Sequence, residues 1–410
     1  MTTPRAVKPR LGCASDYTVE VWQLDRRYQT EIGQLVPERH LVTQLSGIVS
    51  LYWERTIDDF SEARVRFQPV KGDDCCGKLF PKWDNLGNLT QSGVWPWSHE
   101  IVIYREGEPV WMGPIFSVDE TVSPSETTEF IQINARDYLA WVDRRVLHET
   151  LTFGGPATNL YDLVEIARAI VLDAFKPDNI GITEAQVPRY SDSGRKGRRT
   201  TRAHEARCGD ELREVARGGI DFTAIGKMII IKGVRRDPTV PVLELRNRDF
   251  QAGVEIRIVG ADAATKGYAV GQPPLEGDDP APLGVSVAAG VPASGIDPFF
   301  GLIEALTNSG ETTSEDFLQW MAQELVDENH PPPRTLSVPA GSTLSPEATL
   351  SIHELIPSRH FKLTIKGTCS ALSQYMRLSH MEATWEPGSP ERIGVTFIPG
   401  NAEIVEPEGA

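Results

Sequence analysis

The stretch from Trp97 to Leu147 leaves the chain few folds to choose from. Ile101 and Ile103 fall on one side, Val102 and Tyr104 on the other. This is the period of a strand, whose successive side chains point to opposite faces. Glu106-Gly107 then makes a tight turn, because Gly accepts positive φ. Val110 to Gly113 resumes the sheet, and Gly113-Pro114 bends it. Ile131, Ile133 and Ala135 alternate on a third strand. Asp137 caps a closing helix, Asp137–Leu147, with a stripe of Tyr138, Leu139, Val142 and Val146. The unit builds a small barrel or sandwich and carries no evident chemistry.

Similar texture occupies both ends of the chain. Tyr17–Leu24 alternates, and Gly47–Val70 reads as one or two long strands bent at Ile57-Asp58-Asp59. Residues 71–96 are polar and rich in turn formers. After Gly154-Gly155-Pro156, helical spacing takes over at Leu160, Leu163, Val164, Ala167, Ile170, Val171 and Ala174, with Asn159 as N-cap and Pro177 as stop. A short helix with Leu212, Val215 and Ala216 inward ends at Gly218-Gly219. Ile220–Thr223 and Met228–Lys232 form a hairpin around Ile225-Gly226. Strands return at Val242–Leu245, Val254–Val259 and Tyr268–Val270. Residues 272–298 read as a long surface loop, and 299–306 as an apolar patch that is core by default. A helix over 314–328 carries Phe317, Leu318, Met321 and Leu325 and stops before Pro331. The last strands are predicted at Thr335–Val338, Thr349–His353, Phe361–Lys366, Met381–Trp385 and Ile393–Ile398, with a frayed acidic tail after Pro399.

The fold class is therefore β-rich α+β: two small antiparallel β-barrel domains separated by a small α+β domain and a helical insertion. The boundaries are a flexible arm at 1–16, a first barrel at 17–150 and the α+β domain at 151–238. A second barrel comprises 239–271 and 334–400, with the loop and helical insertion at 272–333 and the acidic tail at 401–410.

Charge narrows the functions. The formal net charge is −16, and an acidic protein repels phosphate backbones. The local exception is 188–207, where seven Arg or Lys face two acids for a net +5. Arg195, Arg198 and Arg199 lie in it. Docking on an acidic neighbouring subunit or a solvated loop fits this stretch better than nucleic acid, since Tyr190 alone could stack a base. No apolar run of about 18 residues spans a membrane. The start, MTTPRAVKPRLG, has no apolar segment behind it and is not a secretory signal. The five cysteines (13, 75, 76, 208 and 369) are odd in number and predict free thiols and assembly in a host cytoplasm.

A search for chemistry returns little. His353-Glu354 and His360 lack the one-face spacing of a zinc helix, and Pro357 interrupts them. His204 and Cys208 have no second ligand pair nearby, and Cys75-Cys76 reads as loop or buried thiols. No nucleophile elbow, Walker or Rossmann glycine pattern occurs. The reading is of no enzyme: no catalytic residue, no cofactor and no metal. Trp83, Trp95, Trp97 and the Phe299-Phe300 pair are core or, if exposed, interface.

Several segments carry a family likeness. These are Trp53 to Ser61 (WERTIDDFS), the hairpin Ile101–Tyr104 with Val110–Pro114, and Ala135 to Arg145 (ARDYLAWVDRR). Leu336 to Pro339, Leu344 to Pro346, Glu354 to Pro357, Leu378 with Met381, and Val395 to Phe397 add to them. Together they resemble minor tail proteins of actinobacterial long-tailed phages, related to the trimeric tail-hub family. The resemblance is clearest over 17–150 and 335–400. It implies a structural virion component at the tail tip. Three subunits, each with two barrels, would form a pseudo-sixfold ring adapting a sixfold tube to a threefold tip. The channel would pass tape measure protein and DNA in transit. The partners would be the chain itself as a homotrimer, the distal tail protein, other minor tail proteins and the tape measure protein, without stable membrane insertion. Candidate subunit-interface residues are Trp53, Arg55, Trp111, Arg136, Phe299, Phe300, Arg195, Arg198 and Arg199. The alternatives are a hexameric distal tail protein and a carbohydrate- or receptor-binding tail module.

Overall fold

The computed structural model describes residues 10–14, 16–29, 34–69, 78–91, 93–124, 128–154, 160–178, 180–189, 193–236, 240–258, 260–261, 263–271, 281–308, 315–332 and 334–405. The N-terminal strands are β1 (Tyr17–Gln29), β2 (Gln34–Gln44), β3 (Ile48–Thr56), β4 (Glu62–Phe67), β5 (Lys82–Trp83), β6 (Leu89–Gln91), β7 (His99–Arg105), β8 (Glu108–Val122) and β9 (Thr128–Arg136). Helix α1 (Leu139–Arg144), strands β10 (Leu151–Phe153) and β11 (Tyr161–Asp162), and helix α2 (Leu163–Phe175) follow. Then come β12 (Lys196–Gly197), β13 (Arg199–Thr201), α3 (Cys208–Ala216), β14 (Ile220–Ile225) and β15 (Met228–Gly233). The remainder is β16 (Leu243–Arg246), β17 (Glu255–Ile258), β18 (Lys266–Val270), β19 (Leu283–Val287), β20 (Glu304–Asn308), α4 (Glu315–Asn329), β21 (Arg334–Ser337), β22 (Ser342–Thr343), β23 (His360–Lys366), β24 (Ala371–Trp385) and β25 (Arg392–Val405). The chain packs as two units, one of Met1–Gly253, Pro339–Lys362 and Met376–Gly400, the other of Val254–Val338, Leu363–Tyr375 and Asn401–Ala410.

A 12-stranded sheet runs β16-β23-β24-β3-β4-β9-β8-β7-β1-β2, with β25 paired to β24 and to β22. The β7–β8 hairpin has the expected two-residue turn: Arg105 faces Glu108, while Glu106 and Gly107 sit at φ 49° and 79°. Both values are left-handed, as the turn that matches strand twist requires. Strand β7 is buried at every position but Tyr104, because β1 and β8 flank it. Strand β8 bends: its first half pairs with β7 and its second with β9. At the bend a Cβ on Gly113 would stand 1.9 Å from Arg136 O, so no larger residue fits this close approach. No closed barrel forms among the described strands, whose order ends at β16 and β2.

The core of the first unit is crossed by charge. Glu391, buried, accepts from Gly12 N–H (2.9 Å), Tyr17 Oη (2.7 Å) and Arg105 Nε (2.9 Å). Arg105 Nη2 also donates to Arg10 O at 2.8 Å. One carboxylate thus holds Tyr17 of the first strand, 374 positions away, and Arg105 at the β7–β8 turn, 286 positions away. Burial, and then the Glu391 charge, raise the Tyr17 phenol well above its usual range.

Beside the sheet lies a helical module. Its core joins Tyr138, Leu139 and Val142 of the α1 region with Val164, Ala167, Ile170, Val171 and Ala174 of α2, Leu212 of α3, and the β14–β15 hairpin. The α2 stripe is the predicted one, but Leu160 is exposed and precedes the helix. Asp162 is the cap, accepting from Val164 N–H at 2.9 Å; Asn159 lies outside the described residues. Helix α1 is shorter than the predicted Asp137–Leu147, and Asp137 instead accepts from Ser61 N–H and Leu139 N–H.

In the second unit, β18 runs antiparallel to β19 and parallel to β20, and α4 covers one face. A Cβ on Gly284 would meet the Leu318 carbonyl at 2.2 Å. The expected loop at 272–298 is therefore corrected: it contains β19, whose Gly284 and Ser286 look like loop residues but admit the helix. The expected strand Thr349–His353 is also corrected. Ser351 N–H donates to Glu354 Oε2 (2.7 Å) and Ser351 Oγ accepts from His353 N–H (3.4 Å), a capping box that winds a 3-10 turn at Ile352–Glu354. Strand β25 continues through Pro399 to Val405 rather than fraying; a proline interrupts pairing only where its missing N–H is needed.

Glu391→Ala should lower the unfolding free energy by about 3–5 kcal/mol, because the buried Arg105 loses its counter-charge. The joint change Arg105→Met with Glu391→Leu should cost far less. Denaturant titration of the two variants checks both.

Candidate assembly surfaces

The sequence places nine residues at a subunit interface, and the fold treats them differently. Trp53, Arg55 and Trp111 are buried inside the first unit. Arg55 lies 5.1 Å from the Trp53 ring and donates to the carbonyls of Ile352, Leu355 and Val110 at 3.2, 3.2 and 2.6 Å. Burial lowers its guanidinium to about 10. Trp111 Nε1 donates to Glu54 O at 3.0 Å. These three are corrected to core residues: all are buried, and the Arg55 guanidinium and the Trp111 indole N–H are spent on carbonyls of their own chain. Arg136 is half-buried, stacked 4.2 Å from the Phe60 ring and 4.1 Å from the Phe116 ring, and paired with Glu62.

The basic stretch is corrected from a loop to two short ribbons over its described part. Tyr161 faces Gly197, and Phe153 faces Arg199. Arg199 Nη2 donates to Glu211 at 2.7 Å, and Arg195 Nη1 donates to Gly218 O at 2.9 Å. Arg198 is exposed. Much of the local positive charge is thus already matched, as Arg202 is by Glu205 and Arg189 by Glu165. Residues 190–192 lie outside the described residues.

Phe299 stands apart, at 86% exposed. Its loop is braced rather than loose. Asp297 Oδ1 accepts from Phe299 N–H at 2.6 Å and Phe300 N–H at 2.7 Å, and Asp297 and Gly301 exchange backbone hydrogen bonds at 2.9 Å. The Phe300 N–H and then the Phe299 N–H hold the Asp297 carboxyl below its usual range. Phe300 packs edge-on to Phe299 and to His330. The patch read as core is corrected to surface: Leu302 and Leu306 are also exposed, as are Ile258, Leu283 and Ile296 of the same unit. A braced, water-facing aromatic among aliphatic neighbours is how an interaction surface looks before it is covered.

Among the described residues no group of three or more His, Cys, Asp or Glu side chains could hold a metal ion. His353 Nε2 meets Glu108 at 2.9 Å, whereas His360 is buried, and burial and then Lys232 push its imidazole down to about 4. Cys208 is buried, and burial followed by the Asp173 charge lifts its thiol to about 12, the opposite of an activated nucleophile. Cys13 and Cys369 are exposed; Cys75 and Cys76 lie outside the described residues. Trp95 is partly exposed, Trp97 packs edge-on to Phe116 and Trp141, and the Trp83 side chain lies outside the described residues. Among the described residues no helix is long and apolar enough to cross a membrane.

No protein-family model matches the sequence, and no curated protein matches it. Solved structures do match. A 43 kDa tail protein of prophage MuSo2 from Shewanella oneidensis superposes with a TM-score of 0.54 at 12% identity, over 94% of this chain and 99% of that one. A tail protein from Neisseria meningitidis MC58 gives 0.53 at 11%, over 93% and 96%. Prophage tail protein gp18 from Listeria monocytogenes EGD-e gives 0.50 at 9%, over 95% and 96%. The chain shares the fold of these tail proteins from end to end.

Iodoacetamide at pH 8 should alkylate Cys13 and Cys369 within minutes and leave Cys208 at least tenfold slower until denaturant is added. Peptide mass mapping of the labelled protein checks this.

Proposed function

We propose that this chain is a structural subunit of a phage tail: a homotrimeric hub, or minor tail protein, at the distal end of a long non-contractile tail. In this reading three copies close a ring that adapts the sixfold tube to a threefold tip. Each copy contributes two β-rich regions to the ring, one around β7–β9 and one around β23–β25. The ring surrounds a channel for tape measure protein and DNA. The distal tail protein and other minor tail proteins are the neighbours, and the site of action is the virion tail tip.

The observation that carries the reading is end-to-end likeness to the Shewanella tail protein, 94% of this chain against 99% of that one. One feature of this chain supports it further. The most exposed aromatic among the described residues, Phe299, is held out by a braced turn close in sequence to exposed Leu302 and Leu306, which suits a permanent neighbour better than a transient substrate.

The reading predicts a trimer near 136 kDa, three times the 45.3 kDa chain, by native mass spectrometry at micromolar concentration. A stable monomer or hexamer would count against it, the hexamer pointing to a distal tail protein. Phe299→Ser combined with Leu306→Ser should weaken self-association at least tenfold, since two exposed anchors lose their burial. The same pair should move the unfolding free energy of the dissociated chain by less than about 0.5 kcal/mol.

A further inference from the structure

The described part of the basic stretch sorts its side chains by alternation. Arg195, Arg199 and Thr201 are spent on the chain's own interior: Arg195 donates to Gly218 O, and Arg199 and Thr201 donate to Glu211. Lys196, Arg198, Thr200 and Arg202 between them are exposed. This is the period of a strand, on which same-side neighbours recur every ~6.8 Å. Three outward cations therefore line one edge over roughly 20 Å. Among the described residues Lys196 and Arg198 make no ion pair, and Arg202 has only Glu205, at 3.6 Å, with the two side chains 71% and 63% exposed. A pair so exposed contributes little.

The opposite imbalance belongs to the second unit. Helix α4 carries Glu315, Asp316, Glu324, Asp327 and Glu328 and no Lys, Arg or His. Leu318, Ala322 and Val326 are its buried stripe, and Glu324 and Asp327 fall away from that stripe by the helical period. Asp327 is exposed, accepts from Gln323 Nε2 at 2.7 Å and meets no cation among the described residues. The end of this helix adjoins the braced Phe299 turn: Phe300 packs against His330, the residue after Asn329, and His330 Nε2 lies 3.5 Å from Asp297 Oδ2. The 15 residues of α4 span about 22 Å, which matches the length of the cationic edge.

We propose that the edge formed by Lys196, Arg198 and Arg202 docks on helix α4 of a second copy, as a charged rim beside the apolar Phe299 surface. The inference rests on the homotrimer reading and names its contact. Copies of a −16 chain repel one another, so a contact between them is favoured where one partner's local sign is reversed. A ring also needs a head-to-tail contact, in which each copy offers two different patches. A basic edge and an acidic helix are two such patches, and their opposite charge fixes which meets which. The Phe299 surface supplies the apolar core of the contact and the ionic pairs its rim, the usual anatomy of an interface.

The test is sedimentation equilibrium of the full chain and three variants. Lys196→Glu with Arg198→Glu should weaken self-association about tenfold, and so should Glu324→Lys with Asp327→Lys. All four changes in one chain should restore it to within about threefold of the native value, because every copy again offers both signs. Self-association that ignores both reversals, or a folded fourfold variant that stays dissociated, overturns the docking. Duplex DNA binding that Lys196→Glu with Arg198→Glu abolishes, with self-association intact, would overturn it in favour of a polyanion. A native chain that never forms a trimer overturns the homotrimer reading beneath it. Should a reversal fail to fold, carbodiimide coupling of the native chain decides, with isotope-labelled and unlabelled protein mixed in equal parts. Lys196 joined to an α4 carboxylate across a labelled and an unlabelled chain supports the docking. Lys196 joined only within one chain, or to other segments, sinks it.

Discussion

The first unit hangs on one buried carboxylate. Glu391 gathers the backbone near Gly12, the Tyr17 hydroxyl and the Arg105 guanidinium, and each contact would be worthless without the others. A lone buried anion is expensive, and a lone buried guanidinium is no better. Only when strands from opposite ends of the sequence are side by side does the group become tolerable. The interaction therefore adds little net stability and much selectivity, because registers that misplace β1 or β25 leave a charge stranded. Arg55 works similarly with backbone partners, reading three carbonyls from two distant segments.

Such devices fix one arrangement of the interior more than they add to its stability. The interior accordingly holds ionic and hydrogen-bonded pins at several seams: Glu391 with Arg105, Asp221 with Arg377, and Asp162 with Ser193. The Glu100 carboxylate, bonded to the Tyr138 hydroxyl and paired with Arg39, is another. Each ties strands or helices far apart in sequence, and none converges on a cleft.

What the sequence revealed follows the range of the interactions. The β7–β8 and β14–β15 hairpins were legible because alternation and a glycine turn are encoded within a few residues. Helix α2 was legible because Val164, Ala167, Ile170, Val171 and Ala174 share a face. Strand β19 was hidden by Gly284 and Ser286, whose smallness reflects a helix 34 residues later in the chain at Leu318. The turn at Ile352–Glu354 was hidden because Ser351 and Glu354 cap each other inside an otherwise strand-like run. Arg55 and Trp53 were named as interface candidates within a segment that carries the family likeness, and only the fold supplies Arg55 with carbonyls. Phe299 had the reverse fate: its composition says core, and its braced turn points it at water.

That turn has a kinetic consequence. Asp297 and Gly301 fix the backbone around Phe299 before any neighbour arrives, so docking there would freeze one ring rather than a whole segment. Loops that must order on contact slow association and surrender part of the interaction to lost conformational freedom. A preformed aromatic peg surrenders little. Association at this surface would then be paced by how often the partners meet rather than by slow local rearrangement.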